Sequence, residues 1–327
     1  MKIALLNDYQ NVALKCADWK RLPAGCEVIP FHDYLVDEDA LVERLKDFQV
    51  VCIMRERTPI PGRLIKRLPN LKMVANTGMW NVALDIETCT EQGVLVCGTG
   101  GGSVPTMELT WGLIFAAMRQ VHKEDAATRA GKWQTTLGIG LEGKTIGLIG
   151  LGRIGGGAAG VAKAFGMRVL AWSANLTDEK ASEFQAERVE LETLLRESDV
   201  VSIHYRLGDR SRGLLGKAEL AMMKPGAFLI NTARSQIVDE AALVEALRRG
   251  TIAGAGLDVF DQEPLPPDHP FLSLENVVLS PHVGYVTEEV YRSFYGESLE
   301  NIEAFLAGAP IRVLNPEVLP KLEKPVP

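Results

Sequence analysis

The sequence predicts an α/β protein built from two parallel-sheet domains, and three observations carry that expectation. Short apolar, β-branched runs alternate with helical patterns along the chain. A cluster of glycines interrupts the alternation near residue 100, after which it starts again. The second series opens on GLIGLGRIGGGAAG, residues 147 to 160, with seven glycines in fourteen positions. At 327 residues, 46% of them hydrophobic, the chain can bury a large core and has room for two domains.

The first series reads as strands at KIALL (2–6), CEVIP (26–30), VVCIM (50–54), KMVAN (72–76) and VLVC (94–97), with helical patterns such as DEDALVERLKDF (37–48) between them. GTGGGSVPT (98–106) is a breaker cluster, and the apolar pattern MELTWGLIFAAMRQV that follows reads as one long helix leading into the second unit. The second series runs through KTIGLIG (144–150), MRVLAW (167–172), DVVSIH (199–204), AFLIN (227–231), IAGAGLDV (252–259) and VVLS (277–280). TEEVYRSFYGESLENIEAFLAG (287–308) then reads as an amphipathic helix. Prolines 316, 320, 325 and 327 suggest an ordered arm that ends as a tail.

Composition narrows the function. The longest strongly apolar stretch, Leu109 to Met118, is too short to span a bilayer, and MKIALLND reads as a first strand rather than a signal peptide. Cys16, Cys26, Cys52, Cys89 and Cys97 are odd in number and form no C-x-x-C pair, which suggests free thiols in a reducing cytosol. No metal site is expected. A net charge of −7 gives no reason to expect nucleic acid or an anionic membrane as partner. A soluble, cytoplasmic protein acting on a small molecule is the expectation.

Gly150, Gly152 and Gly155 fit the spacing G-x-G-x-x-G, with a strand before and a small-residue helix after. A glycine inside a helix costs about 1 kcal/mol relative to alanine. The gain that offsets it is close backbone approach to a pyrophosphate seated on the helix N-terminus, with Arg153 and Ile154 in the same loop. The acid that usually selects the ribose belongs at the end of the next strand. That end reads WSANLT, placing neutral Ser173 and Asn175 there with no following Arg. NAD is therefore favoured and NADP stays open.

Ligands of open α/β sheets bind beyond the carboxyl ends of the strands. Those ends in the second series supply Arg234, Asp258, Glu263 and His282. Singly, each has a plainer reading: Arg234 as a surface cation, Glu263 as a helix-start acid and His282 as a capped core histidine. Together they are what hydride transfer to a 2-oxo acid requires: a forked cation for carboxylate and carbonyl, a proton donor titrating near neutrality, and an acid to orient it. His32, His122, His204 and His269 lack that company in the sequence, and His204 reads as lining the cofactor cleft.

NTARSQIVDEAALVEAL, AGAGLDVFDQEPLP and NVVLSPHVGYVT, following RERT, GLEGKTIGLIGLGRIG and MMKPGAFLIN, resemble the D-2-hydroxyacid dehydrogenase family over almost the whole chain. The resemblance implies two Rossmann-like or flavodoxin-like domains with a cleft between them. Residues 1–101 and 286–327 would form the substrate domain and 102–285 the dinucleotide-binding domain. It implies that Arg234 binds the substrate carboxyl and carbonyl, His282 exchanges the proton, Glu263 pairs with His282 and Asp258 holds the nicotinamide carboxamide. Thr106, His204, Thr232, Ala233 and Gly284 would face the cofactor, while Arg55, Gly78 and Met79 would meet the substrate. A homodimer formed through the cofactor domain is implied as well. Departures from the family's pattern fall at Trp80, Arg206 and Ser235, where glycine, proline and glycine are usual. A formate-dehydrogenase-like relative would carry Gln in place of Glu263. A non-catalytic, NAD(H)-sensing interaction protein on the same fold is the alternative reading.

Overall fold

The computed structural model describes residues 1–322, and Pro325 and Pro327 lie outside them. The chain divides into two compact units, Met1–Gly102 with Val286–Pro327, and Ser103–Tyr285. Strands of the first unit are β1 (Lys2–Leu5), β2 (Glu27–Pro30), β3 (Val50–Ile53), β4 (Met73–Asn76) and β5 (Leu95–Cys97). They form a parallel sheet in the order β2-β1-β3-β4-β5. Every residue of β3, β4 and β5 is buried, as continuous apolar runs require when both sheet faces are covered. The Glu38–Leu45 helix starts where the Asp37 side chain accepts the Ala40 N–H, and Leu41 and Leu45 join the core beside Val51, Ile53 and Val74. The Glu288–Leu306 helix, capped in the same way by Thr287, belongs to this unit. Pro316 and Pro320 fall in a 3-10 turn, Pro316–Lys321.

In the second unit β6 (Thr145–Ile149), β7 (Arg168–Trp172), β8 (Glu187–Arg188), β9 (Val200–Ile203), β10 (Phe228–Asn231), β11 (Gly254–Leu257) and β12 (Val277–Leu279) form a parallel sheet. Its order is β12-β11-β10-β9-β6-β7-β8. The two-residue β8, exposed and charged, carries no apolar signal and was invisible in the sequence. Strand order reverses between β6 and β9, which makes their carboxyl ends the switch point where such sheets bind ligands. Because all pairings are parallel, the loops after β6, β9, β10, β11 and β12 leave the sheet at one edge.

The long apolar helix departs from its expected span. It runs Val104–Arg119, with proline in its first turn, and stops where Gln120 takes a left-handed conformation at φ 55°. A second helix, Val121–Arg129, follows. Trp111, Leu113, Ile114 and Met118 of the first helix are buried within this unit's own core. Gly256 of β11 makes that packing close, since a Cβ there would stand 3.0 Å from Leu113 Cβ.

All five cysteines are free. Burial pushes the thiols of Cys52, Cys89 and Cys97 up to about 12, so they pack as inert apolar groups. No described helix is long and apolar enough to cross a membrane.

Candidate active site

The glycine loop lies at the switch point of the second sheet. Gly150 follows β6 with φ +98°, and a Cβ on it would stand 2.7 Å from the His204 carbonyl oxygen after β9. A Cβ on Gly155 would stand 2.1 Å from the Gly150 oxygen. These two glycines let loop, helix and strand close on one another. Gly152 is different: a Cβ there would meet nothing within 4 Å. It is the N-cap of the Arg153–Ala164 helix and provides no side-chain cap. Open space in front of uncapped N–H groups suits a pyrophosphate, so a dinucleotide fits here. Arg153 is exposed beside that opening, and Ile154 is half-buried. At the end of β7, Ser173 is half-buried and Asn175 exposed.

His204 joins the loop through its backbone, while its ring nitrogen Nε2 stands 2.9 Å from Ser202 Oγ. Burial pushes its pKa down to about 4, so the ring is neutral at physiological pH and cannot be the proton donor.

Beyond β10, β11 and β12 the remaining groups gather. Thr110, buried in the Val104–Arg119 helix, places its hydroxyl 2.8 Å from both the Thr106 carbonyl and the Thr232 hydroxyl. The Ala233 N–H donates to Asn231 Oδ1 at 3.0 Å, and Asn231 Nδ2 donates to the Arg234 carbonyl at 3.0 Å. Arg234 is half-buried, with Nη1 donating to the Ala233 carbonyl at 2.7 Å. A Cβ on Gly284 would lie 3.0 Å from Asp258 Oδ2 and 3.3 Å from Thr106 Cγ2, which places these three residues side by side.

Asp258, only 1% exposed, turns both oxygens to the loop after β12. Oδ1 accepts the Ser280 hydroxyl at 2.6 Å and the Val283 N–H at 2.8 Å; Oδ2 accepts the Gly284 N–H at 2.9 Å. Burial raises its pKa, against the pull of these donors and of His282. A residue expected to serve a ligand is thus engaged first in bracketing His282.

His282 has φ +53°, a left-handed conformation that costs a non-glycine residue about 1–3 kcal/mol and persists only where the surroundings impose it. Its Nδ1 stands 2.6 Å from Glu263 Oε2, and Glu263 Oε1 accepts the Phe260 N–H at 3.0 Å. Burial opposes charge on Glu263. The His282 hydrogen bond and charge, the Phe260 N–H and the Arg234 charge outweigh it and hold the carboxyl below the usual range. Arg234, Glu263 and His282, distant in sequence, therefore form one electrostatic group.

In the first unit Arg55 and Gly78 meet at the ends of β3 and β4. Arg55 has φ +51°, and its Nη1 donates to the Thr77 carbonyl at 3.2 Å. Gly78 has φ +93°, and a Cβ on it would fall 1.8 Å from that nitrogen, so only glycine lets this arginine lie where it does. Met79 is next to it and exposed. Buried Asn76 and Asn81, joined at 2.8 Å, fix the loop between them.

The sequence reading missed several polar supports. Thr110, Asn231 and Ser280 bond the loops that carry the candidates; Asn231, directly before Thr232, and Ser280, two residues before His282, stood near enough in sequence to be noticed. The expectation that the other histidines lack acidic company also needs correction. His269 Nε2 stands 3.0 Å from Glu240 Oε1, and His32 Nδ1 stands 3.6 Å from Asp8 Oδ2. Both pairs are formed by tertiary approach across more than twenty residues, which no local pattern reveals.

Residues 111–284 match the family model for the NAD binding domain of D-isomer specific 2-hydroxyacid dehydrogenases. A glyoxylate reductase of Aeropyrum pernix is 43% identical over 273 residues, covering 80% of this chain and 81% of that protein. A D-3-phosphoglycerate dehydrogenase of Archaeoglobus fulgidus is 35% identical over 291 residues, 88% of this chain and 55% of that one. The crystal structure of a phosphoglycerate oxidoreductase from Vibrio cholerae O395 superposes with a TM-score of 0.90 at 37% identity, over 94% of this chain and 100% of that one.

The two glycines separate experimentally. Gly152→Ala should lower the melting temperature only by the modest cost of placing alanine at an N-cap, yet weaken NADH binding by about tenfold or more, by filling space next to the helix N-terminus. Gly155→Ala should lower the melting temperature as well, because its Cβ collides with backbone. Calorimetric titration and thermal melts read both.

Proposed function

This chain belongs to the D-isomer specific 2-hydroxyacid dehydrogenase family, and we propose that it interconverts a small 2-oxo acid and its D-2-hydroxy acid with His282 as the proton carrier. The observation that supports this most is the 2.6 Å contact between His282 Nδ1 and Glu263 Oε2. With Nδ1 committed to the carboxylate, Nε2 is the nitrogen that trades a proton with substrate.

A bound reduced nicotinamide supplies the hydride. Arg234 grips the substrate carboxylate with its forked donors and stabilises the negative charge that develops on the carbonyl oxygen. Protonated His282 gives that oxygen its proton, and Glu263 keeps the ring oriented and stabilises its charged form. In the reverse direction neutral His282 accepts the hydroxyl proton. Gly150, Gly152, Arg153, Ile154 and Gly155 hold the pyrophosphate in this reading. Thr106, His204, Thr232, Ala233, Asp258 and Gly284 serve the nicotinamide side, and Ser173 and Asn175 the ribose. Neutral groups at that ribose can bond the 2′-hydroxyl of NAD without repelling the 2′-phosphate of NADP, and the absence of a following Arg leaves NAD slightly favoured. Arg55, Gly78 and Met79 are assigned to the substrate. Glyoxylate, named in the Aeropyrum pernix relative, is the first acid to try.

A homodimer and a cytoplasmic location belong to the same reading. Val121, Trp133 and Leu137 are 56%, 78% and 93% exposed, apolar side chains that a second copy would cover. Sedimentation equilibrium should give twice the 35.7 kDa of one chain; a single-chain mass would overturn the dimer.

Replacing His282 by Ala should lower kcat by about 100-fold or more while leaving NADH affinity nearly intact. Glu263, with its lowered pKa, stays charged across the working range. Its contribution to stability is present above the ordinary carboxylate pKa and is lost as pH falls through the depressed value. Reduction consumes a proton and oxidation releases one, so reduction should slow as pH rises while oxidation speeds up. Full activity in His282→Ala, or parallel pH trends in the two directions, would refute the assignment. No turnover with any 2-oxo acid would instead favour a non-catalytic NAD(H) sensor.

A further inference from the structure

A second imidazole–carboxylate pair lies near Glu263, and the reaction as described does not use it. Glu240 is the first residue of the Glu240–Arg249 helix. Its two oxygens serve opposite ends of one loop: Oε1 lies 3.0 Å from His269 Nε2, and Oε2 accepts the Asp261 N–H at 3.1 Å. The tautomer of His269 is set by its other nitrogen. Nδ1 accepts the Phe271 N–H at 3.3 Å, so Nε2 carries the proton and donates it toward Glu240. Both side chains are largely buried.

Between those two holds runs Asp261 to His269, a segment with no helix or strand and with prolines at 264, 266 and 267. Nothing periodic in its backbone fixes its position, yet Glu263 is carried on it. The Asp261 carboxyl adds a further tie, a hydrogen bond from Ser235, the residue that follows Arg234. Ser235 is buried and stands where the resembling family usually has glycine.

We propose that Glu240 is a positioning residue: by holding Asp261 and His269 together it sets where Glu263 stands, and through Glu263 the orientation of His282. The Ser235–Asp261 bond sets the same loop against Arg234. The proposal rests on the reading of Glu263 and His282 as the working pair.

A kinetic double-mutant cycle on the full chain, with glyoxylate and NADH, tests it. Glu240→Ala should lower kcat about tenfold, within what a displacement of an ångström or less costs, while NADH affinity stays unchanged. In a Glu263→Ala background the same substitution should cost less than about twofold, because the group it positions is gone. His269→Ala, which removes one hold only, should give a smaller loss with the same dependence on Glu263, and it carries the cycle if Glu240→Ala melts below assay temperature. An unchanged kcat in Glu240→Ala, or an equal loss in both backgrounds, would overturn the positioning role. Retention of full kcat by Glu263→Ala alone would instead bring down the reading beneath it.

Discussion

A buried carboxylate, Asp258, is the constraint on which the rest of the site depends. Placing a charge where 1% of the residue is exposed is costly unless donors surround it, and three do: the Ser280 hydroxyl and the Val283 and Gly284 N–H groups. Those donors come from both sides of His282. The histidine is thereby held in a left-handed backbone conformation that it would not adopt in a free loop. With its backbone so placed, the ring meets Glu263 at 2.6 Å.

The sheet explains why these groups converge. In the second unit the parallel order places the ends of β6, β9, β10, β11 and β12 at one edge, with the reversal between β6 and β9 opening the glycine loop there. Strand interiors supply apolar burial and the loops beyond them supply polar groups. Buried threonine and asparagine side chains, Thr110 and Asn231, then fasten one loop to the next. The two strained residues that carry candidate chemistry, Arg55 and His282, each follow a strand end; the Arg55 N–H donates to Thr77 Oγ1, and the Val283 N–H, next to His282, donates to Asp258 Oδ1.

Much of this was legible in the sequence, because strong local signals mark it. Apolar runs in the middle of parallel strands, GLIGLGRIG after such a run, and polar residues just beyond FLIN, AGLDV and VVLS place themselves by period and punctuation alone. What was not legible depends on tertiary approach. β8 has two charged residues and no pattern, and Gln120 breaks a helix whose periodicity continues through it. Glu240 sits in an ordinary helix-start position, and nothing about it announces that His269, 29 residues later, returns to it. Asp258 was singled out as a ligand contact, and its further ties to Ser280, Val283 and Gly284 on either side of His282 were not foreseen.

Central to the account is a ring whose Nδ1 is bound to Glu263 and whose Nε2 is the working nitrogen. Nitrogen-15 NMR of histidine-labelled protein, with His282 assigned by its loss in a His282→Gln variant, reads this directly. The account predicts that the neutral ring carries its proton on Nδ1 and that Nε2 is the site that gains and loses one with pH. A neutral ring protonated on Nε2 would contradict it.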